Sequence, residues 1–451
     1  MSGAALGTAS AVALAGCGSS GPEELTETPS GHPVQGETLT YDPNHLVNDG
    51  KPISMEWWLW DAEDMFQKFV DAYTAIHTNV AITIVKQPWE DYWTKLPLSL
   101  RDGATPALFN IHNSHHSNLA PYLEPYDIPT DELTADYTGA EAHVIDGTIS
   151  YLDYGLMSGV IYYNVDHWKE AGLTDADIPE TWEQFREVAK KLTKRSGDSF
   201  ERAGFNFNAQ FNAFSPGLPY QYGQNMFADD QTTPTIATEA MMDVIERFQS
   251  FYDVDQVGSK DFGTASGDSF GQGQSSMVYS WTHLGGTLAN DFPDINYATF
   301  RTPVVTAGET PYAFDRYNGE STLGINTKAD AATKAVAQDF VRFFLTSKDT
   351  LKELCLNYHV FPMYKPLADD SDILEDPQLQ SLADGIERYI WPGPIPATIE
   401  ENLTTMWEDI LYNGAAPDTA MQAAQEGIAT DLQGSDFTAV ENLYAFYQPT
   451  R

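Results

Sequence analysis

Three tryptophans fall within four positions of the stretch MEWWLWDAEDMF, and a carboxylate follows at once: Trp57, Trp58, Trp60 and Asp61. Indoles at such density either fill a core or stack on a ligand, with a neighbouring carboxylate accepting hydrogen bonds. A further indole, Trp89, stands in KQPWEDYW, and HNSHH supplies His112, Asn113, His115 and His116. Imidazoles this close together are a candidate zinc cluster, because neutral His is a good ligand for that ion. No spaced cysteine accompanies them. Carboxylates are abundant enough for paired acid–base hydrolysis, but the chain shows neither a serine-nucleophile elbow nor HExxH.

Such residues need elements to hold them. ISMEWWLW reads as a strand covered on both faces, which places Trp57 and Trp58 in the core and Trp60 at the carboxyl end, where it is a ligand platform. EDMFQKFVDAYTAIH follows as a helix with Phe66, Phe69, Val70, Tyr73 and Ile76 on one face. Asp61 is a good N-cap for that helix, with Asp64 in its first turn, and one oxygen can cap while the other binds a ligand. VAITIVK is the next strand, and Trp89 just beyond it is either a platform or a hydrophobic staple. WEDYWTKLPLSLRDG reads as a helix interrupted at Pro97, and ALFNI as a third strand. In such a β-α-β-α-β run, ligand chemistry belongs at the carboxyl ends of the strands. Farther on, GVIYYN, SSMVYSW and STLGIN are strands. IPETWEQFREVAKKLTK is a helix opened by a Thr181/Gln184 capping box, with Trp182, Phe185, Val188 and Leu192 buried.

The 451 residues exceed what one hydrophobic core normally serves, so two lobes are expected. With 24 basic and 65 acidic residues the formal charge is −41, which argues against nucleic acid and anionic headgroups as partners. The apolar run AALGTASAVALAG is too short to span a bilayer and reads as a secretory h-region. LAGC, Leu14 to Cys17, then resembles a bacterial lipobox with Cys17 as the lipidated residue, although no Lys or Arg precedes Lys51. Residues 1–17 are thus expected to be signal peptide and lipobox. Residues 18–51, polar and without periodicity, are expected to be a flexible tether.

The motifs together resemble the extracellular solute-binding proteins of bacterial ABC importers, in the carbohydrate-binding branch that includes maltose-binding proteins. LRDGATPALFNIH followed by LAPYLEPYD, SGVIYYNVDHWKEAGLTDADIPETWEQF, FGQGQSSMVYSW and TLGINTKADAATKAVAQDFVRFFLTS carry the likeness, in family order, with Ala107 where Asp is usual. The resemblance implies an α/β fold of two lobes with three interlobe crossings and a central cleft. Lobe one would be residues 52–154 and 322–361, and lobe two residues 155–321 and 362–451. It implies a monomeric, non-enzymatic, cofactor-free protein held by lipid on the outer face of the cell membrane, which passes an oligosaccharide to permease subunits.

A neutral sugar offers apolar C–H faces and a rim of hydroxyls, so its site needs aromatic platforms and polar side chains. The chain has 10 Trp, 23 Tyr and 23 Phe to draw on. The resemblance points to His112 and Asn113, to Asp153 and Tyr154 at the first crossing, to Phe211 and Asn212, and to Trp281 as a platform. Asn318 lies near the second crossing, and Trp391 sits in the proline-stiffened loop YIWPGPIP, where an exposed ring needs a reason. The competing readings are a zinc-binding solute-binding protein using the histidine loop and a secreted glycoside hydrolase.

Overall fold

Strand β1, Ile53–Leu59, lies between two parallel neighbours, β2 (Val80–Lys86) and β3 (Leu108–Asn110). The computed structural model describes residues 21–210, 214–383, 385–435, 437–444 and 446, so the expectations for Cys17, Phe211 and Asn212 lie outside the described residues. Helix α1, Glu63–Ile76, joins β1 to β2, and α2, Trp89–Asp102, joins β2 to β3. Alternation along β1 splits its indoles between two faces. Trp57 is fully buried against Phe66 and Phe340, and its indole N–H donates to Asn110 Oδ1 at 2.8 Å. Trp58 faces the other way. It is only partly buried, against the cluster of Tyr92, Leu96 and Leu100, so the expectation of core packing holds for it in part. Helix α2 runs unbroken through Pro97, contrary to the expected interruption.

The lobes are stitched together by strand β4, Asp153–Asn164, of which only GVIYYN was legible in the sequence. Its second half pairs with β5 (Met277–Trp281) and β6 (Tyr297–Arg301), deep in lobe two. Its first half pairs with β7, Asp315–Ser321, which runs back toward lobe one and leads into β8, Leu323–Ile325, antiparallel to β3. These two passages and a third near Phe361–Pro362, which pairs with Leu156 and Gly155, are the three crossings. Beyond the third, Thr138 N–H donates to the Met363 carbonyl at 2.9 Å and Tyr364 packs on Tyr137, so the chain stays against lobe one past Phe361 before reaching lobe two.

Helix α3, Trp182–Leu192, opens with the expected capping box and buries the expected Trp182, Phe185, Val188 and Leu192. It packs in the lobe-two core with α4 (Glu239–Asp253), α5 (Ala397–Leu411) and α6 (Pro417–Asp431). Lobe one is covered by α7, Ala331–Thr346, and α8, Lys348–Tyr358. Among the described residues no helix is long and apolar enough to cross a membrane.

Residues 21–51 depart from the expected flexible tether. Leu39, Tyr41 and Val47 are buried in the lobe-one core, Leu39 N–H donates to Asp136 Oδ2 at 2.7 Å, and Leu25 N–H donates to the Gly50 carbonyl at 2.8 Å. Polar composition concealed this, because three apolar anchors suffice to fix a strap whose other residues stay in water. Burying each anchor is worth about 1.5–3 kcal/mol before the cost of ordering the strap. A chain begun at Lys51 is therefore expected to melt about 5 °C below one begun at Gly21. Scanning calorimetry measures this, and equal melting temperatures would show that the strap adds no stability.

Candidate ligand-binding site

The three parallel strands deliver their following residues to one place. Trp60 and Asp61 succeed β1, Trp89 opens α2 after β2, and His112 and Asn113 succeed β3. All five line a cavity of about 770 Å³ between the lobes, together with the expected Trp281, Asn318 and Trp391.

On the lobe-one wall, Trp60 meets Trp89, Tyr92 and Trp93 with ring centroids 5.2 to 5.3 Å apart. The edge-to-face contacts with Trp89 and Tyr92 and the tilted one with Trp93 hold the indole rigid. Trp89 is 39% exposed, and as the first residue of α2 it follows the N-cap Pro88, so it does not occupy the staple position before the cap. Asp61 does not cap α1. The N-cap is Ala62, in a left-handed conformation (φ 50°, ψ 32°), and Asp61 Oδ1 accepts the Ala62 N–H at 2.8 Å. A non-glycine residue at positive φ beside a cleft is local strain that the surrounding fold must hold. Ser114 N–H donates to His112 Nδ1 at 3.3 Å, which leaves the ring proton on Nε2, and burial lowers the His112 pKa so that the imidazole stays neutral. Asn113 is pinned, its amide donating to the Gly319 carbonyl at 3.1 Å and its Oδ1 accepting from Ser321 Oγ at 3.3 Å.

The histidine loop does not form the candidate zinc cluster. His115 lies flat on Trp93 at 3.9 Å, His116 packs beside Tyr151, and among the described residues these histidines do not converge on a shared ion position. Asp153 and Tyr154 do not reach the cavity either. Asp153 is 2% exposed, accepting Ser321 Oγ–H at 2.9 Å and lying 3.2 Å from His143 Nε2, while Tyr154 is buried in the lobe-one core. Trp391 is the reverse of the expected exposed ring: it is 2% exposed and stacked on His143 at 4.5 Å, so little of it is open to the cavity it lines.

The crossing strand β7 brings Arg316 and Glu320, which sequence reading missed, beside the expected Asn318. Arg316, Asn318 and Glu320 all line the cavity. The two-residue period would have put them on one face had DRYNGES been read as a strand. Arg316 stacks over the Trp281 ring at 4.9 Å and donates through Nη2 to Glu400 Oε1 at 2.7 Å, so one face of that indole is already occupied by a cation. His283, Asp291 and Glu400 line the lobe-two side, and no local pattern in the sequence marked them. Glu320 keeps some surface open to the cavity but is otherwise enclosed by protein. Burial first, then the nearby Asp153 and Asp61 charges, push its pKa up to about 8.

Two interlocking lobes with an aromatic, polar cleft at their crossings define a solute-binding protein. The solved cyclic α-maltosyl-1,6-maltose binding protein from Arthrobacter globiformis superposes with a TM-score of 0.71 at 21% identity, covering 85% of this chain and 100% of that one. The maltose/maltodextrin-binding domain from Bdellovibrio bacteriovorus bound to maltotriose gives 0.68 at 16% identity, over 84% of this chain and 100% of that one. The maltotriose-binding protein of Pyrococcus abyssi is 22% identical over 382 residues, 82% of this chain and 80% of that protein. The sn-glycerol-3-phosphate-binding periplasmic protein of Agrobacterium fabrum is 27% identical over 210 residues, 43% of this chain and 44% of that protein. Residues 68–381 match the family described as bacterial extracellular solute-binding protein, and the chain belongs to that family.

With a pKa near 8, Glu320 is neutral at pH 7 and offers a hydroxyl as a hydrogen-bond donor; above pH 8 it becomes an acceptor only. Ligand affinity is therefore expected to fall above pH 8, by up to about tenfold per pH unit. Glu320→Gln, which keeps a neutral donor, should hold affinity within about threefold at pH 7 and flatten the alkaline loss. Titration calorimetry from pH 6 to 9 checks both, and an alkaline loss that persists in the variant would remove Glu320 from ligand recognition.

Proposed function

We propose that the cleft binds a neutral oligosaccharide and that the protein delivers it to the membrane subunits of an ABC importer. The observation that carries this reading is the set of indoles from Trp60, Trp89 and Trp281 around one cavity, interleaved with Asp61, Asn113, Asn318 and Glu320. Flat apolar rings matched to C–H faces, with short polar side chains between them for hydroxyls, are what a sugar requires. The maltotriose-binding protein of Pyrococcus abyssi and the maltotriose-bound domain from Bdellovibrio bacteriovorus support the same ligand class.

The glycerol-phosphate specificity of the Agrobacterium relative is the main competing reading, and the charges in the cleft disfavour it. Arg316 is the single Lys or Arg among the described lining residues, and it is ion-paired to Glu400, while Asp61, Asp291 and Glu320 add carboxyl groups. A phosphate would enter that field without a dedicated cation. Binding here breaks no bond; lobe closure about the crossings encloses the sugar, a motion for which periplasmic binding proteins are a standard example. Lipidation at Cys17 would hold the monomer on the outer face of the membrane, with the packed strap starting a few residues beyond the lipid.

Calorimetry against neutral di- to tetrasaccharides and glycerol 3-phosphate is expected to show micromolar affinity for at least one saccharide, about −8 kcal/mol. Heat from the phosphate alone would overturn the reading, and free product after long incubation with the bound glycan would point to hydrolysis. Trp60→Ala and Trp281→Ala should each weaken sugar binding by about 1–3 kcal/mol with the circular-dichroism spectrum unchanged. Unaltered affinity in both would exclude these indoles as platforms.

A further inference from the structure

Away from the cleft, where the strap meets lobe one, His45, His77 and Asp339 each offer a ligand atom, and these atoms lie within 4.8 Å of one another. His45 comes from the strap, His77 from the C-terminal end of α1, and Asp339 from the middle of α7. We propose that these three side chains bind a zinc-class divalent cation that fastens the strap to lobe one.

The hydrogen bonds around the cluster are those of a metal site's outer shell. His45 Nδ1 lies 2.8 Å from the Asp42 carbonyl, an acceptor only, so Nδ1 carries its proton and Nε2 is the nitrogen that faces Asp339 Oδ1 at 2.8 Å. The carboxylate is oriented from behind: Tyr41 and Tyr73 hydroxyls both donate to Asp339 Oδ2, at 2.9 and 2.8 Å. The Tyr41 hydroxyl proton is thereby committed, so His77 Nε2, 2.8 Å from the same oxygen, is the donor in that contact. His77 is fully buried, and among the described residues its other nitrogen, Nδ1, has no hydrogen-bond partner. A buried imidazole with an unanswered lone pair is costly as plain packing, and its lone pair is what a metal uses.

Two imidazoles and one carboxylate suit zinc, with water completing the coordination. On binding, the metal replaces the proton that His45 Nε2 shares with Asp339, and that proton is released to solvent. The cation would link three segments that are far apart in sequence, and so would set where the lipid-bearing end of the chain leaves the lobe. This site is separate from the saccharide cleft and does not depend on the ligand assigned there.

The test is a zinc titration of chelator-stripped protein beginning at Gly21. One equivalent should bind with a submicromolar dissociation constant, raise the melting temperature and slow amide exchange over residues 39–47. His45→Ala, at a partly exposed position, and Asp339→Asn should each weaken zinc at least 100-fold. His115→Ala, in the cleft loop, should leave it unchanged, as zinc should leave saccharide affinity unchanged. Binding no tighter than 10 μM, or binding that survives His45→Ala, would overturn the proposal.

Discussion

Every residue of β4 from Asp153 to Asn164 is buried, so its backbone N–H and C=O groups need partners from other strands. They find them in two directions, toward β7 and Phe361–Pro362 at one end and toward β5 and β6 at the other. That requirement makes the junction between the lobes a shared sheet rather than a loose linker. The cleft is the space left beside it, bounded by β7 side chains and by residues from both lobes.

Close packing at this junction decides which polar groups can meet a ligand. A Cβ at Gly319 would sit 1.8 Å from Asp153 Oδ2, and one at Gly159 would sit 1.8 Å from the Tyr279 hydroxyl, so neither position admits a side chain. Asp153 is consequently turned inward to Ser321 and His143, and it reaches the cleft only through its charge, which helps to keep Glu320 protonated. Asp315, fully buried with the Tyr279 hydroxyl 2.6 Å away, is pushed up to about 7 by burial. The crossings thus hold carboxyl groups that are neutral or internally bonded, while Arg316 and Glu400 neutralise each other at the cleft wall. The cavity is lined by indoles and polar side chains, the lining from which a hydroxyl-rich ligand is proposed.

The lobe-one half of the site was legible because it follows from topology. Residues just past the carboxyl ends of parallel strands must face the open edge, since both faces of the sheet are covered. Trp60, Asp61 and Trp89 were found in this way, while the family resemblance pointed to His112 and Asn113 after the third strand. Asp153 and Tyr154 were not placed correctly, because proximity to a crossing does not reveal which way a buried strand turns its side chains. Residues 21–51, expected as part of a tether, were misread for a different reason: composition averages over a segment, whereas packing depends on a few residues such as Leu39, Tyr41 and Val47.

The sequence by itself determined the two-lobed α/β class, the capping of α3, and the division of the first tryptophan cluster into Trp57 for the core and Trp60 for the cleft. The lobe count follows from chain length and the family resemblance, and the rest from local rules of period, cap and strand end, which act over a few residues. Only the tertiary structure decided that Arg316 covers one face of Trp281, that Trp391 stacks on His143, and that His45, His77 and Asp339 meet. Each of those contacts joins segments tens to hundreds of residues apart, and no local periodicity encodes where two such segments will be brought together.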